Sequence, residues 1–368
     1  MADIRRQVVV PANILDPALR GYKCSLLEKQ TRLKGYDVAR SYNGFFCYTF
    51  RFVNGSDTKG LRIWKSPEWV HTNGLDARFR KISAFLDAHS RELPYFVKFA
   101  YLDRALLDAD GSAFPGMRID WVNGRELGTW LTKGNEGADR RPTRAEIGRV
   151  ASEFMNMCRA LRALNVSHGD LSNKNIFVTP LGEIRLVDYD SLYVPPLGAL
   201  PVTTTGCRGF QHPRRFTTAG LKSGPGDDNF SQQVIYLTLL VLSQSEQLYL
   251  EYDDFDNELL FDGMEFESQA AFDSCPPVQA IRRAFPAGHE AVLRLDELRR
   301  SIALPLGRIP SILDFRRPEP PKPRPQPQPQ PAAPQERYVE FCTQCGAKYR
   351  RSTDRYCNIC CHQREKYQ

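Results

Sequence analysis

The sequence predicts an α+β protein with a small β-rich lobe, a mostly helical lobe and a small cysteine-rich module at its C-terminal end. Three observations support this prediction. Alternating apolar residues and turn signals dominate the first third of the chain. Apolar residues at helical spacing dominate the middle. Half of the 10 cysteines follow a Pro/Gln-rich tract near the end.

The composition is that of an ordinary globular protein, with 42% hydrophobic and 25% charged residues among 368. The net charge of +7 permits anionic partners without requiring nucleic acid. The first residues lack a long apolar region and a small-residue cleavage site, so we expect no signal peptide. The longest apolar run, 234–242, is too short to span a bilayer. We therefore expect a cytoplasmic protein with no membrane segment.

The β-rich lobe is predicted to be a five-stranded sheet with one helix inserted after the third strand. Residues 36–54 alternate, 54–60 carry a turn signal, and 61–66 follow as a strand, so this part predicts a hairpin. Apolar residues at helical spacing predict a helix over 76–90. Two more strands are expected within 95–122, around a Gly-containing turn.

The second lobe is predicted to be helical. Residues 143–165 have helical apolar spacing and begin with a capping-box signature. Residues 227–244 are apolar nearly all round, which is typical of a helix at the centre of a domain. Further helices are expected over 270–285 and 290–302.

The domain boundaries follow from these patterns and from the Pro/Gln-rich tract. Such a tract cannot bury a core and favours extended polyproline II, so it predicts a semi-rigid spacer. The predicted units are an N-terminal extension at 1–35, the β-rich lobe at 36–122, the helical lobe at 123–315, the spacer at 316–337 and the cysteine-rich module at 338–368.

Acidic and amide residues follow two of the apolar segments in the helical lobe. The loop "SHGDLSNKN" at 167–175 contains Asp170 and Asn175, and Asp188 follows the next apolar run. Phosphoryl transfer from a metal-bound nucleotide needs a carboxylate near the acceptor hydroxyl, with an amide and a second carboxylate to hold magnesium. Turn residues at strand ends are the alternative explanation. The order and setting of the three residues favour phosphoryl transfer.

These motifs resemble those of the protein-kinase-like fold, over about 36–310 of the sequence. "HGDLSNKN" is similar to the catalytic loop H-R-D-L-x-x-x-N, and "DYD" stands where D-F-G is expected. The resemblance implies Asp170 as catalytic base, Asn175 as a magnesium ligand and Asp188 as the main magnesium-binding acid. The chain is similar in this respect to bacterial, eukaryotic-like Ser/Thr protein kinases.

The resemblance also implies residues for the nucleotide. "LRIWKS" is similar to the third strand of a kinase, so Lys65 would reach the phosphates. "SYNGFFCY" offers Gly44 where the family has a glycine-rich loop. The acid before the apolar helix, Asp228, would support the catalytic loop structurally.

The segment "RIDWVNGREL" resembles the kinase hinge, which connects the two lobes beside the adenine. By this resemblance Ile119 is the gatekeeper residue. The backbones of Asp120 and Val122 would meet the adenine edge, and Glu126 would lie near the ribose.

The sequence departs from the common kinase pattern at several positions. Gly169 replaces the arginine of the catalytic loop and Ser172 replaces a lysine, as in small-molecule and atypical kinases. Asp190 replaces the glycine of D-F-G, and we expect it to be a turn residue rather than a further metal ligand. The predicted helix at 76–90 offers Asp76 and Asp87, but no glutamate, as an acidic partner for the strand lysine.

The C-terminal module carries two C-x2-C pairs, Cys342 with Cys345 and Cys357 with Cys360. Four thiolates at this spacing suit tetrahedral zinc in a closed, structural site, and the module resembles a zinc ribbon. Disulfides would suit a secreted protein better. The neighbouring Cys361 is expected to be a bystander. The basic and aromatic flanks permit contact with nucleic acid, but a solvated face is the favoured interpretation.

The sequence therefore predicts a protein kinase that transfers the γ-phosphoryl group of ATP to Ser or Thr hydroxyls, using Mg²⁺ or Mn²⁺. The zinc ribbon would recruit a protein partner or substrate. Two alternatives stay open, a small-molecule kinase and a nucleotide-binding pseudokinase scaffold. The segment 191–205 resembles an open activation segment, and its residues Thr203–Thr205 would be autophosphorylation sites. The acceptor and the oligomeric state do not follow from the sequence.

Overall fold

A computed structural model describes residues 4–25, 39–43, 47–138, 140–252, 255, 258–317, 338–350 and 352–366. The chain divides into two compact units, Met1–Arg317 and Pro318–Gln368. The larger unit mixes antiparallel sheets with many helices, and the smaller unit contains a compact cluster of four cysteines. The predicted nucleotide residue Gly44 and most of the predicted spacer lie outside the described residues.

The main sheet of the larger unit contains six antiparallel strands among the described residues. They are β1 (Lys23–Cys24), β2 (Tyr42–Asn43), β3 (Cys47–Asn54), β4 (Asp57–Trp64), β5 (Phe99–Leu107) and β6 (Ala113–Asp120). The strand order is β1-β3-β4-β6-β5, and β2 also pairs with β3. Strands β3 and β4 pair from Cys47 opposite Trp64 to Asn54 opposite Asp57. The predicted hairpin is therefore confirmed, with its turn inside 54–60.

Residues from the predicted N-terminal extension cover one face of this sheet. The short helix α1 (Ile4–Gln7) and the residues after it bury Ile4, Val8 and Leu19 against Leu61 and Ile63 of β4. Strand β1 adds backbone hydrogen bonds along β3. The extension thus contributes both apolar surface and a strand to the sheet.

Helices α2 (Pro67–Thr72) and α3 (Leu75–Ala88) follow β4, and α3 confirms the helix predicted over 76–90. Phe79 of α3 lies against Trp64 and Tyr101, with ring centroids 5.2 and 6.3 Å apart. Trp64 is fully buried there. Because side chains alternate along a strand, this contact defines the face of β4 that also carries Arg62.

The remainder of the larger unit is mostly helical. Its α-helices are α4 (Leu127–Lys133), α5 (Arg144–Ala163), α6 (Asn229–Gln244), α7 (Glu246–Glu251), α8 (Gln269–Ser274), α9 (Pro276–Ala284) and α10 (Glu290–Ala303). The 3-10 helices of the whole larger unit are Pro11–Asn13, Pro17–Leu19, Pro195–Leu197, Pro213–Phe216, Met264–Glu267, Leu306–Arg308 and Ile312–Asp314. A second sheet has the order β7-β8-β9, formed by β7 (Arg125–Glu126), β8 (Ile176–Val178) and β9 (Ile184–Leu186).

The sequence predicted the two main helices of this part. Thr143 and Glu146 form the expected capping box, in which each side chain bonds the other's backbone N–H. Helix α6 is buried nearly all round and packs against α5 and α10, as a central helix should. Over the described residues, no helix has both the length and the apolarity needed to cross a membrane.

A buried ion pair joins the N-terminal residues to the sheet. Asp16 accepts two hydrogen bonds from Nη1 of Arg118 on β6, at 2.9 and 2.7 Å, and a third from the backbone N–H of Ala18 at 3.0 Å. The Asp16 side chain is 2% exposed. Such a charge is stabilising only while its partner is present, because removal leaves the other charge poorly solvated.

We expect Asp16→Ala to lower the free energy of unfolding by about 2 kcal/mol, the typical loss for a hydrogen bond to a charged group. Urea denaturation of the full chain measures this value. Asp103→Ala is the matched control, since it breaks an ion pair with Arg80 whose side chains are 62% and 52% exposed. Exposed pairs of that kind are worth less than about 1 kcal/mol. Equal losses in the two variants would contradict the prediction.

Candidate functional site

The polar loop between α5 and β8 is held at its start by one buried carboxylate. Asp228, directly before α6, accepts the backbone N–H of His168 at 2.5 Å and that of Gly169 at 2.8 Å. Burial raises the pKa of Asp228 to about 7, while these two hydrogen bonds act in the opposite direction. The supporting contact predicted for Asp228 is present, and it ties the loop to the central helix.

His168 ties the same loop to the residues that precede Asp188. Its ring Nε2 lies 2.8 Å from the carbonyl oxygen of Val187. Burial lowers the pKa of His168, so we take the ring as neutral with Nε2–H donating to that carbonyl. The backbone N–H of Val187 in turn donates to the carbonyl of Asn175 at 3.1 Å. Both ends of the loop are therefore fixed relative to Asp188.

Gly169 has a conformational reason to be glycine. Its φ of +78° lies in the left-handed region, and a Cβ there would lie 2.4 Å from the carbonyl oxygen of Ser191. A buried arginine, Arg215, donates to the carbonyls of Gly169 and Thr205 at 3.2 and 3.3 Å. Gly169 of the loop is therefore packed against Ser191, the first residue of the 191–205 segment. Arg215 connects the same glycine to Thr205, the last residue of that segment.

The three predicted catalytic residues come together at this loop. The amide of Asn175 donates to the backbone carbonyl of Asp170 at 2.8 Å. Burial raises the pKa of Asp170 to about 6, and the negative charge of Asp188 adds to the rise. The Asp170 Oδ1 atom is buried and has no hydrogen-bond partner among the described residues. This oxygen is therefore open to a further hydrogen bond.

The cation beside these acids is Arg62, which the sequence did not single out. Its guanidinium forms ion pairs with Asp188 at 3.0 Å and with Asp190 at 2.6 Å. The predicted Lys65 follows β4, and its ammonium lies 4.6 Å from the ring centroid of Tyr48. Among the described residues, the ion pairs of Asp188 and Asp190 are thus made by Arg62 and not by Lys65.

Strand alternation explains this placement once the packing of Trp64 shows which face of β4 meets α3. Buried Trp64 marks the face of β4 that meets α3, and Arg62 lies two residues earlier on that face. Lys65 differs from both by an odd number of residues. The ammonium of Lys65 lies over the ring of Tyr48, and Tyr48 packs with the hydrophobic cluster that contains Leu61 and Ile63. Lys65 therefore belongs to the face of the sheet opposite to that of Arg62.

The two acids on Arg62 differ in charge environment. Loss of solvent acts to raise the pKa of Asp188, but Arg62 outweighs it and the pKa is lowered. Burial raises the pKa of Asp190 to about 6, against the influence of Arg62. Asp190 lies in a turn, as expected, and its ion pair is an additional role. Asp188 itself has a φ of +66°, a left-handed conformation that is rare outside glycine and concentrates at functional sites.

The predicted hinge residues lie between the two sheets. Asp120 ends β6. Its backbone N–H donates to the backbone carbonyl of Lys98 at 2.9 Å, and its carboxylate forms an ion pair with Lys59 at 2.9 Å. Val122 follows and is half-buried. Glu126 belongs to β7 and directly precedes α4. This segment therefore connects β6 of the main sheet to β7 of the second sheet.

The segment predicted to be an open activation segment packs against the loop instead of lying free. The hydroxyl of Thr203 donates to the backbone carbonyl of Asp190 at 2.7 Å. The hydroxyl of Thr204 accepts the backbone N–H of Gly206 at 3.1 Å. A backbone bond from Val202 to Leu221 at 3.0 Å anchors the end of the segment. Modification of Thr203 would require this arrangement to open.

The smaller unit brings its four predicted cysteine ligands together. The Sγ atoms of Cys342, Cys345, Cys357 and Cys360 lie within 4.8 Å of one another. The Cys342–Cys360 and Cys345–Cys357 separations are 3.5 Å each, far longer than a disulfide bond. Tetrahedral coordination with Zn–S bonds of about 2.3 Å gives sulfur separations of about 3.8 Å. The four thiols could therefore hold one structural metal ion such as zinc.

No protein-family model matches the chain, and a search of curated proteins returned no match.

We expect Gly169→Ala to destabilise the protein by roughly 3 kcal/mol or more, because it adds backbone strain and a clash with Ser191. Gly182→Ala is the matched control, since Gly182 has a φ of +79° and no atom lies within 4 Å of the place that an added methyl group would take. Gly182→Ala should lower the free energy of unfolding by about 1 kcal/mol, because it adds backbone strain but no clash. Thermal unfolding of the two variants measures the difference, and equal melting temperatures would contradict the close packing at Gly169.

We expect Cys357→Ser to abolish stoichiometric zinc binding, because it removes one of four converging thiolates. Cys361→Ser should keep the metal, since Cys361 is outside the cluster. Metal analysis of the purified full chain, after dialysis against zinc and then buffer, measures both. Retention of zinc by Cys357→Ser, or its loss from Cys361→Ser, would show that the ligand set is wrong.

Proposed function

We propose that the chain is an ATP- and Mg²⁺-dependent phosphotransferase of the protein-kinase-like fold, acting on Ser or Thr hydroxyls of a protein. One observation carries the proposal. Asp170, Asn175 and Asp188 meet at one loop, tied by the Asn175–Asp170 and Val187–Asn175 hydrogen bonds. A base, an amide and a second acid are the groups that phosphoryl transfer requires, and these hydrogen bonds bring the residues that carry them to one loop.

Asp170 is the residue suited to orient and deprotonate the acceptor hydroxyl. Its unpartnered Oδ1 can accept a hydrogen bond from a serine or threonine hydroxyl. With a pKa of about 6, the carboxyl is ionised near neutral pH and still basic enough to take a proton. Asn175 holds the backbone of Asp170, so the carboxylate direction is set before the acceptor binds.

Asn175 and Asp188 would hold the magnesium ion. Asp188 keeps 44% of its side chain exposed, so a hydrated cation can reach it. When bound, Mg²⁺ neutralises charge between the β- and γ-phosphates of the nucleotide. We assign the adenine to the backbone of Asp120 and Val122 and the ribose to Glu126, since this segment links the two sheets.

Gly169 bears on the class of the phosphoryl acceptor. Gly169 counted toward a small-molecule acceptor in the sequence, but its φ and its packing on Ser191 are a conformational explanation for the glycine. Its presence therefore no longer favours a small-molecule substrate.

One observation favours a different function, a nucleotide-binding scaffold without turnover. Arg62 pairs directly with Asp188, the proposed magnesium acid. If that pair persisted with nucleotide bound, Asp188 would be a poor metal ligand. Catalysis requires Asp188 to exchange Arg62 for the metal ion.

For the C-terminal module we propose a zinc ribbon that recruits a protein partner. Four thiolates would complete the coordination of Zn²⁺, so the metal would be structural. So small a module has little apolar core, as its buried residues Cys342, Tyr349 and Cys357 indicate. Metal binding would therefore supply much of its folding free energy.

We expect Asp170→Asn to lower phosphoryl transfer by about 10²–10⁴-fold while Mg-ATP binding changes little, because Asp170 acts on the acceptor. ADP release and the intact mass of the full chain after incubation with Mg-ATP measure transfer, and isothermal titration measures binding. Asp103→Asn is the matched exposed acid, expected to behave as wild type. Wild-type protein that binds Mg-ATP without phosphoryl transfer would support the nucleotide-binding scaffold and contradict the proposed kinase activity. ADP release without added mass on the protein would be transfer to water, that is ATP hydrolysis, and would contradict a Ser or Thr acceptor on this chain.

A further inference from the structure

Arg62 of β4 holds two aspartates at the candidate site, and its contacts differ from those that the kinase pattern gives to a strand lysine. Its Nη1 donates to Asp188 Oδ1 at 3.0 Å, and its Nη2 donates to Asp190 Oδ2 at 2.6 Å. Its Nε lies 2.8 Å from the Sγ atom of Cys47, and its side chain is 10% exposed. A guanidinium is always charged, and its planar fork suits two carboxylates or a phosphate group. Arg62 is therefore a fixed cation next to the proposed magnesium acid.

The two acids on Arg62 are not equally accessible. The Asp188 side chain is 44% exposed, whereas that of Asp190 is 20% exposed. The hydroxyl of Thr203 also holds the backbone of Asp190. A metal ion arriving from solvent would meet Asp188 first, while Asp190 would stay on Arg62.

Helix α3 contributes a cation to this network instead of an acid. Buried Arg78 donates to the carbonyl of Leu192 at 3.0 Å, and its charge interacts with that of Asp190. The helix acid Asp87 instead lines a cavity of about 220 Å³ with Ser83. Two arginines thus balance two aspartates, and the acids of the network come from the loop after β9.

We propose that Arg62 contacts the nucleotide phosphates. Asp190 would be the positioning acid that keeps its ion pair with Arg62 when Asp188 binds magnesium instead. This inference rests on the proposed function and adds two residues to it. In protein kinases the strand lysine pairs with a glutamate of the helix in the small lobe. In this chain the cation–acid pair joins β4 to the loop after β9, so it forms without an acid from α3.

The test compares the affinities of the full chain for Mg-ATP and for adenosine, which lacks phosphates. The ratio of the two affinities reports phosphate contacts, and a general loss of structure would lower both affinities together. The variants are Arg62→Ala, Arg62→Lys and Asp190→Asn. Arg80→Ala is the matched control, because it removes an arginine from an exposed ion pair with Asp103.

We expect Arg62→Ala to lower the ATP-to-adenosine ratio by about 10- to 100-fold, the size of one charge-assisted contact. Arg62→Lys should lose less, because it keeps the charge and loses the planar fork. Asp190→Asn should lower the ratio by about tenfold through the loosened arginine, with no added effect on the Arg62→Ala background. Arg80→Ala should leave the ratio within about twofold of wild type.

An unchanged ratio in Arg62→Ala would overturn the proposal. A collapse of the ratio in Lys65→Ala, with Arg62→Ala unaffected, would give the phosphate role to Lys65 and overturn it as well. If Arg62→Ala fails to fold, Arg62→Lys and Asp190→Asn decide, and wild-type ratios in both would reject it. Wild-type protein that binds neither ATP nor adenosine would contradict the proposed function itself, a result distinguishable from failure of the Arg62 assignment.

Discussion

One buried carboxylate organises the candidate site. Asp228 stands before the central helix α6 and accepts two consecutive backbone N–H groups, those of His168 and Gly169. Because the acceptor is buried and the donors belong to the backbone, the contact sets the path of the chain at the start of the loop. The direction in which Asp170 leaves the loop depends on that path.

The charge network around Arg62 depends on the same loop. Gly169 lets Ser191 approach, which brings the segment after β9 against the loop. That segment carries Asp188 and Asp190, and Arg62 reaches both from β4. The main sheet and the loop are thus joined by an ion-pair network in which Asp188 is accessible and Asp190 is enclosed. In the proposed site, Asp188 would exchange Arg62 for the metal ion while Asp190 keeps its ion pair with Arg62.

Local sequence patterns predicted the elements well because they depend on nearby residues. The hairpin of β3 and β4, the helix α3, the capping box of α5 and the apolar helix α6 all have short-range causes. The four cysteines likewise occur at a spacing that favours one metal site. The role of residues 4–25 in the sheet was not predicted, because the pairing of β1 with β3 joins residues far apart in sequence.

The acidic and amide groups of the candidate site could be identified from the local sequence, since Asp170, Asn175, Asp188 and Asp228 stand in an ordered polar pattern between apolar elements. Which cation meets them depends on the packing of elements that are distant in the sequence. Arg62 and Lys65 are three residues apart on one strand and its end, and both are basic. Side chains alternate between the faces of a strand, and only the packing of Trp64 on α3 shows which face meets the loop. The ion pair between Arg62 and Asp190 likewise depends on tertiary packing, because that packing brings the loop after β9 against β4.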